Sequence, residues 1–144
     1  MLQKKLLFPL FAVLAIFVSA CAAGGGSGGG TADLIPVMAS GNPTFCEREE
    51  DTLFIYVKNS GSADAASAEV QVEFFLGPGY TRTENGTTVT GILAAGETLS
   101  SPIAVSIPGD CFNPDCDFKI TIDPSNAVKE SDESNNAVEA ACIG

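Results

Sequence analysis

The residues able to do chemistry in this chain are its cysteines and its carboxylates. The cysteines are Cys21, Cys46, Cys111, Cys116 and Cys142. Four of them fall in the part of the chain that can fold, an even number that suits two disulfides in an oxidising compartment. Four cysteines allow three pairings, and the sequence alone does not choose among them. Four thiolates could instead hold zinc, but the Cys111-x4-Cys116 spacing fits common zinc motifs poorly, and an exported site favours oxidation. The carboxylates gather between Asp123 and Asn136, where Asp123, Glu130, Asp132, Glu133, Asn135 and Asn136 offer hard oxygen ligands. A calcium site would need six to eight oxygens converging on one point, and the segment lacks the EF-hand pattern and its central glycine. In the plainer reading Asn135 and Asn136 bond backbone groups of a long hairpin loop while the acids face water. No metal ligand set and no cofactor is expected.

Catalysis finds no constellation. The chain has no His, so the commonest general base and metal ligand is missing. No nucleophile has an evident base, and a carboxylate-pair hydrolase would want a larger cleft than a domain of this size builds.

Cys21 stands apart. The chain opens Met-Leu-Gln-Lys-Lys, and Leu6 to Val18 is almost wholly apolar. That run is short of the roughly 20 residues needed to cross a bilayer and has the length of a signal-peptide core. It ends Val18-Ser19-Ala20-Cys21, which resembles the lipobox of bacterial lipoproteins, with Val18 in place of the more usual Leu. The resemblance implies a leader of residues 1–20 that is removed and acyl chains on Cys21, a stable membrane anchor. An ordinary signal peptide cleaved near Ala20 or Ala23 is the alternative. Ala22 is not Asp, which by the rules for enteric bacteria favours the outer membrane. Residues 21–32 then form the lipidated cysteine and a flexible Gly/Ser linker, with an r.m.s. reach of roughly 15–20 Å.

The elements that must position the remaining cysteines and acids occupy residues 33–144, and nothing there repeats with a helical period. Short alternating runs lie between clusters of Gly, Pro, Asn and Asp, which predicts an all-β, Greek-key sandwich of about seven strands. Leu34 to Val37 reads as an edge strand, because Pro36 cannot donate to a second neighbour. Leu53, Ile55 and Val57 alternate with Phe54, Tyr56 and Lys58. Val70, Val72 and Phe74 face one way, and Glu69, Gln71 and Glu73 the other. Tyr80 to Glu84 and Thr87 to Thr90 flank Asn85-Gly86, which reads as a two-residue hairpin turn. Ile103, Val105 and Ile107 follow, then Phe118, Ile120 and Ile122, then Val138 and Ala140. Phe54, Tyr56 and Phe75 point away from these rows, as a contact patch or beneath a neighbouring segment.

Three of these stretches resemble one family. Thr52-Leu53-Phe54-Ile55-Tyr56-Val57-Lys58-Asn59-Ser60-Gly61 is similar to the alternating strand ending in Asn-x-Gly of CARDB, the cell-adhesion-related domain of bacteria. Ile92-Leu93-Ala94-Ala95-Gly96-Glu97-Thr98 resembles its Leu-x-x-Gly-Glu corner. Ile120-Thr121-Ile122-Asp123-Pro124, followed by Val128-Lys129-Glu130-Ser131-Asp132-Glu133-Ser134-Asn135-Asn136, resembles its closing hairpin. The resemblance spans Asp33 to Cys142 and implies an immunoglobulin-like sandwich with extracellular binding or adhesion. The four cysteines depart from the simplest family pattern.

Alternating strand directions should bring all four domain cysteines to one pole. The favoured pairing is Cys111–Cys116 as a local staple and Cys46–Cys142 as a closure of the two chain ends, with Cys116–Cys142 the runner-up. Removal of Lys4 and Lys5 leaves 5 basic residues against 18 acidic ones, a net −13 that repels nucleic acid. The expected whole is a non-enzymatic, lipid-anchored cell-envelope protein. Its domain lies in the periplasm or on the cell surface and binds a protein or a glycan. A structural spacer without a dedicated ligand and a calcium-dependent module are the alternatives.

Overall fold

The computed structural model describes residues 29–86 and 92–144. The leader, Cys21, most of the Gly/Ser linker and the strand expected at Thr87–Thr90 lie outside the described residues. Within them every regular element is a strand. In chain order these are β1 (Leu34–Val37), β2 (Arg48–Glu49), β3 (Thr52–Asn59), β4 (Val70–Gly77), β5 (Tyr80–Asn85), β6 (Ile103–Ser106), β7 (Cys116–Ile122) and β8 (Ala137–Cys142).

Two antiparallel sheets form an immunoglobulin-like sandwich. In the first, β3 is central. β2 and β6 both pair with Thr52 and Leu53, so they flank its first half on opposite sides, and β1 pairs with Tyr56 to Asn59. The second sheet has the order β5-β4-β7-β8. β1 is an edge strand of its sheet, which is where Pro36 can sit without a ladder bond being lost.

The period-2 rows meet between the sheets. Leu53, Ile55, Val57, Ile103 and Val105 of the first sheet face Val70, Val72, Phe74, Phe118, Ile120 and Ile122 of the second, and all are buried. Phe74 and Phe118 are register partners whose rings pack tilted at 6.1 Å between centroids. Burying each such side chain contributes about 1.5–3 kcal/mol, enough over this set to hold one two-layer core. Phe54, Tyr56 and Phe75 are half-buried. Phe54 and Tyr56 lie on the outer face of the first sheet and Phe75 on that of the second, so the three do not share one patch.

One turn differs from the sequence expectation. The described hairpin turn after β4 is Gly77-Pro78-Gly79, with φ of 132° and 76° at the two glycines. Asn85 instead ends β5 opposite Gln71, and the Gly86 amide donates to the Val70 carbonyl at 2.7 Å, continuing the ladder. Gly86 has no positive φ, which the expected tight turn would need there. Its small size serves packing: a Cβ on Gly86 would stand 2.6 Å from Ile103 Cγ2.

Candidate functional site

The strands alternate direction, so the loops fall at two poles, and each pole collects one of the two chemistries that the sequence offers. β3 and β7 begin, and β4, β6 and β8 end, at the first pole. All four domain cysteines are there. Cys46, in the loop between β1 and β2, is bonded to Cys142 at the end of β8, with Cα atoms 5.2 Å apart. Cys111 is bonded to Cys116 at the start of β7, with Cα atoms 4.9 Å apart. Cys116 and Cys142 stand opposite each other in the β7–β8 ladder, yet each sulfur is bonded elsewhere. Cys111, Cys116 and Cys142 are buried, so the bonds plug this end of the core.

Side chains from three loops converge around the bonds. The Arg48 guanidinium lies 5.0 Å over the Phe112 ring, tying β2 to the loop between Cys111 and Cys116. Arg48 Nη1 also donates to the Glu50 carbonyl in the two-residue turn that joins β2 to β3. Arg82 reaches Asp110 at 3.8 Å, an exposed pair that contributes little. Tyr80 and Ile143 are exposed at this pole, 72% and 81% accessible.

The second pole is built from carboxylates and amides. Asp123 is buried, with a positive φ of 49°. Its two oxygens accept the Ala127 and Val128 amides at 2.9 and 2.7 Å, closing the turn that follows β7. Glu130 is buried as well: Oε2 accepts the Leu34 amide of β1, and Oε1 accepts Asn136 Nδ2 at 2.8 Å. Burial pushes the Glu130 carboxyl above its ordinary range against the pull of these two bonds, with a further push from Glu133 and Asp123. The Ser134 hydroxyl and amide hold the exposed Asp132 carboxyl below its ordinary range. Asn135 Nδ2 donates to Asp33 Oδ1 at 3.0 Å.

Two expectations about this segment are corrected. Asp123 and Glu130 do not face water, because the backbone amides they accept have no other partner and draw them inward. Asn135 and Asn136 use their amide nitrogens on carboxylates, and their Oδ1 atoms are buried without a protein partner. Among the described residues no group of three or more acidic, Cys or His side chains converges as a metal site. The oxygens that a calcium ion would need are largely spent on the fold itself.

Asn59, read in the sequence only as part of a turn, is the hub of this pole. It is fully buried. Its Oδ1 accepts the Asp33 and Gly61 amides, and its Nδ2 donates to the Ala63 and Leu93 carbonyls at 2.8 and 2.9 Å. The Gly61 bond makes an Asx turn, so the Asn-x-Gly spacing carried a signal for the local turn and none for the contact with Leu93.

The chain enters the domain at this pole. Thr31 O accepts the Ser62 and Ala63 amides, and Ala32, which is buried, bridges to Glu130. Thr31 and Ala32, at the end of the stretch read as linker, are therefore already tied into the sandwich.

Comparison with known proteins agrees with this architecture. The CARDB family model matches residues 31–140. A solved domain of a Methanosarcina acetivorans chain, named as a cell surface protein, shares 26% identity with a TM-score of 0.58. The match covers 78% of this chain and 91% of that one. The CARDB domain of a Pyrococcus furiosus protein, solved in complex with di-metal ions, shares 16% identity with a TM-score of 0.44, over 79% of this chain and 90% of that one. No curated protein matches the sequence.

Proposed function

The chain belongs to the CARDB family, and from that membership we propose a non-catalytic binding domain of the cell envelope, held to a membrane through a lipid on Cys21. The family is an adhesion-type fold without enzymatic activity, which supports the non-catalytic part. The observation that carries the envelope reading is the pair of disulfides, Cys46–Cys142 and Cys111–Cys116. Such bonds persist in oxidising compartments and are rare in the cytosol. In this reading residues 1–20 are the leader, and the stretch from Cys21 is the stalk that joins the sandwich at its amide-rich pole. The disulfide pole then faces away from the membrane and presents Tyr80 and Ile143 to a protein or glycan. The strong negative charge disfavours nucleic acid as the partner.

Two experiments test the reading. Cys21→Ser should move the protein from the membrane to the soluble fraction, and a variant that stays membrane-bound would remove the anchor from the proposal. A crosslinking pull-down from envelope extract and a glycan panel, with and without calcium chelation, should return one saturable partner. Its loss on chelation would favour the calcium-dependent module, and the absence of any partner would favour a spacer.

A further inference from the structure

The two places where the chain enters and leaves the sandwich lie at opposite poles, and a covalent bond joins the segment after β1 to the segment after β8. Residues 31–33 sit at the amide-rich pole, and β1 runs from there toward the disulfide pole, where Cys46 is bonded to Cys142. Only Ile143 and Gly144 follow Cys142. A path through covalent bonds therefore runs from Thr31 to Cys46, crosses to Cys142 and leaves the domain. Residues 47–141, which hold seven of the eight strands and nearly all of the core, form a closed loop beside that path.

We propose that the Cys46–Cys142 bond makes the domain a force shunt: a pull between Thr31 and whatever is attached beyond Cys142 bypasses the sandwich, and only the strap of residues 31–45 can give way. The strap is held along its length. Asp33 N donates to Asn59 Oδ1, Asp33 O accepts the Ser60 amide, Ala32 O accepts the Ser131 amide and Leu34 N donates to Glu130 Oε2. Gly61 lets the strap lie this close, because a Cβ there would collide with the Thr31, Ala32 and Asp33 backbone. β1 lies along the line joining the poles, so its ladder with β3 is loaded as a whole and not one bond at a time. When the strap does yield, the disulfide stops the extension before β3 or the second sheet feels the load. The biological use of this device rests on the reading that the chain is tethered through its N-terminal stalk. The mechanical claim does not, and it can fail separately.

The test is single-molecule pulling on the full chain, with non-cysteine handles at Gly29 and Gly144, in oxidised form and after reduction. A released strap extends at most about 50 Å, whereas freeing the whole folded chain gives about 400 Å. The oxidised protein should show only the short step, and reduction should convert it to the long one, an increase of about eightfold. A Cys111→Ser, Cys116→Ser double variant, which keeps the long bond, should behave like the oxidised protein. A long step from the oxidised protein overturns the proposal, and so does the absence of any short step at forces that unfold the reduced protein. Reducing native protein already held under load avoids reliance on a cysteine variant that fails to fold. Cys21→Ser in the same experiment should leave both steps unchanged, which separates this claim from the anchor.

Discussion

The two poles of the sandwich solve the same problem with different chemistry. Each must close an open end of a two-sheet core and tie together segments far apart in sequence. At the disulfide pole two covalent bonds join Cys46 to Cys142 and Cys111 to Cys116. At the other pole buried Asn59, Asp123, Glu130 and Asn136 do it through hydrogen bonds, most of them to backbone groups. The covalent pole depends on redox conditions and little on pH. The polar pole is indifferent to reductant, but every member is needed, since removing one leaves buried partners unsatisfied.

The largest expected effect comes from breaking the long covalent closure. Replacing Cys46 and Cys142 by Ser should cost about 4–5 kcal/mol in the chain-entropy model, read as the drop in unfolding free energy in urea. A loss no larger than that for the short bond would mean that the polar pole alone holds the ends. Next is Asn59→Ala, which strands groups on three loops and should cost roughly 3 kcal/mol in the same melts. A near-neutral result would show that solvent replaces its partners and that this pole is looser than its burial suggests. The Cys111→Ser, Cys116→Ser pair should cost only about 2 kcal/mol, because the loop it closes is short. Measured beside the long bond, it shows how much of the covalent pole's strength comes from loop length.

The smallest effect separates the poles by pH. Burial raises the Glu130 carboxyl above its ordinary 4.5, so the folded state holds that proton more tightly than the unfolded chain does. Its contribution to stability is complete below the unfolded value and is lost as pH rises through the higher folded value. Wild type should therefore lose ground to Glu130→Gln between about pH 4.5 and neutrality, seen as a closing or reversing gap between their urea midpoints. A gap that stays constant across that window would place the titration elsewhere.

The sandwich was legible in the sequence because its inward rows repeat every two residues. Leu53, Ile55 and Val57 announce a buried face whichever neighbour covers it. The cysteines were legible as a group, since strand alternation brings them to one end, but choosing among three pairings needs positions in space. The polar pole was not legible. Asp123 and Glu130 look like solvent-facing acids until the amides of Val128 and Leu34 are seen to depend on them, and Leu34 lies 96 residues from Glu130. Asn85-Gly86 misled for a related reason: the pair suits a tight turn, but Gly86 is small for the sake of Ile103 across the sandwich. Long-range demands on single residues leave no local pattern.

The placement of the chain's entry at Thr31 and its exit after Cys142 also sets a length. A domain whose ends lie side by side adds almost nothing to the reach of a string of domains. Here the two ends are separated by the long axis of the sandwich, and the eight residues of β3 alone measure about 26 Å along it. Whatever is joined after Gly144 is displaced by at least that distance from whatever precedes Thr31, in a fixed direction. The fold is thus a rigid ruler between its neighbours, whichever ligand it carries.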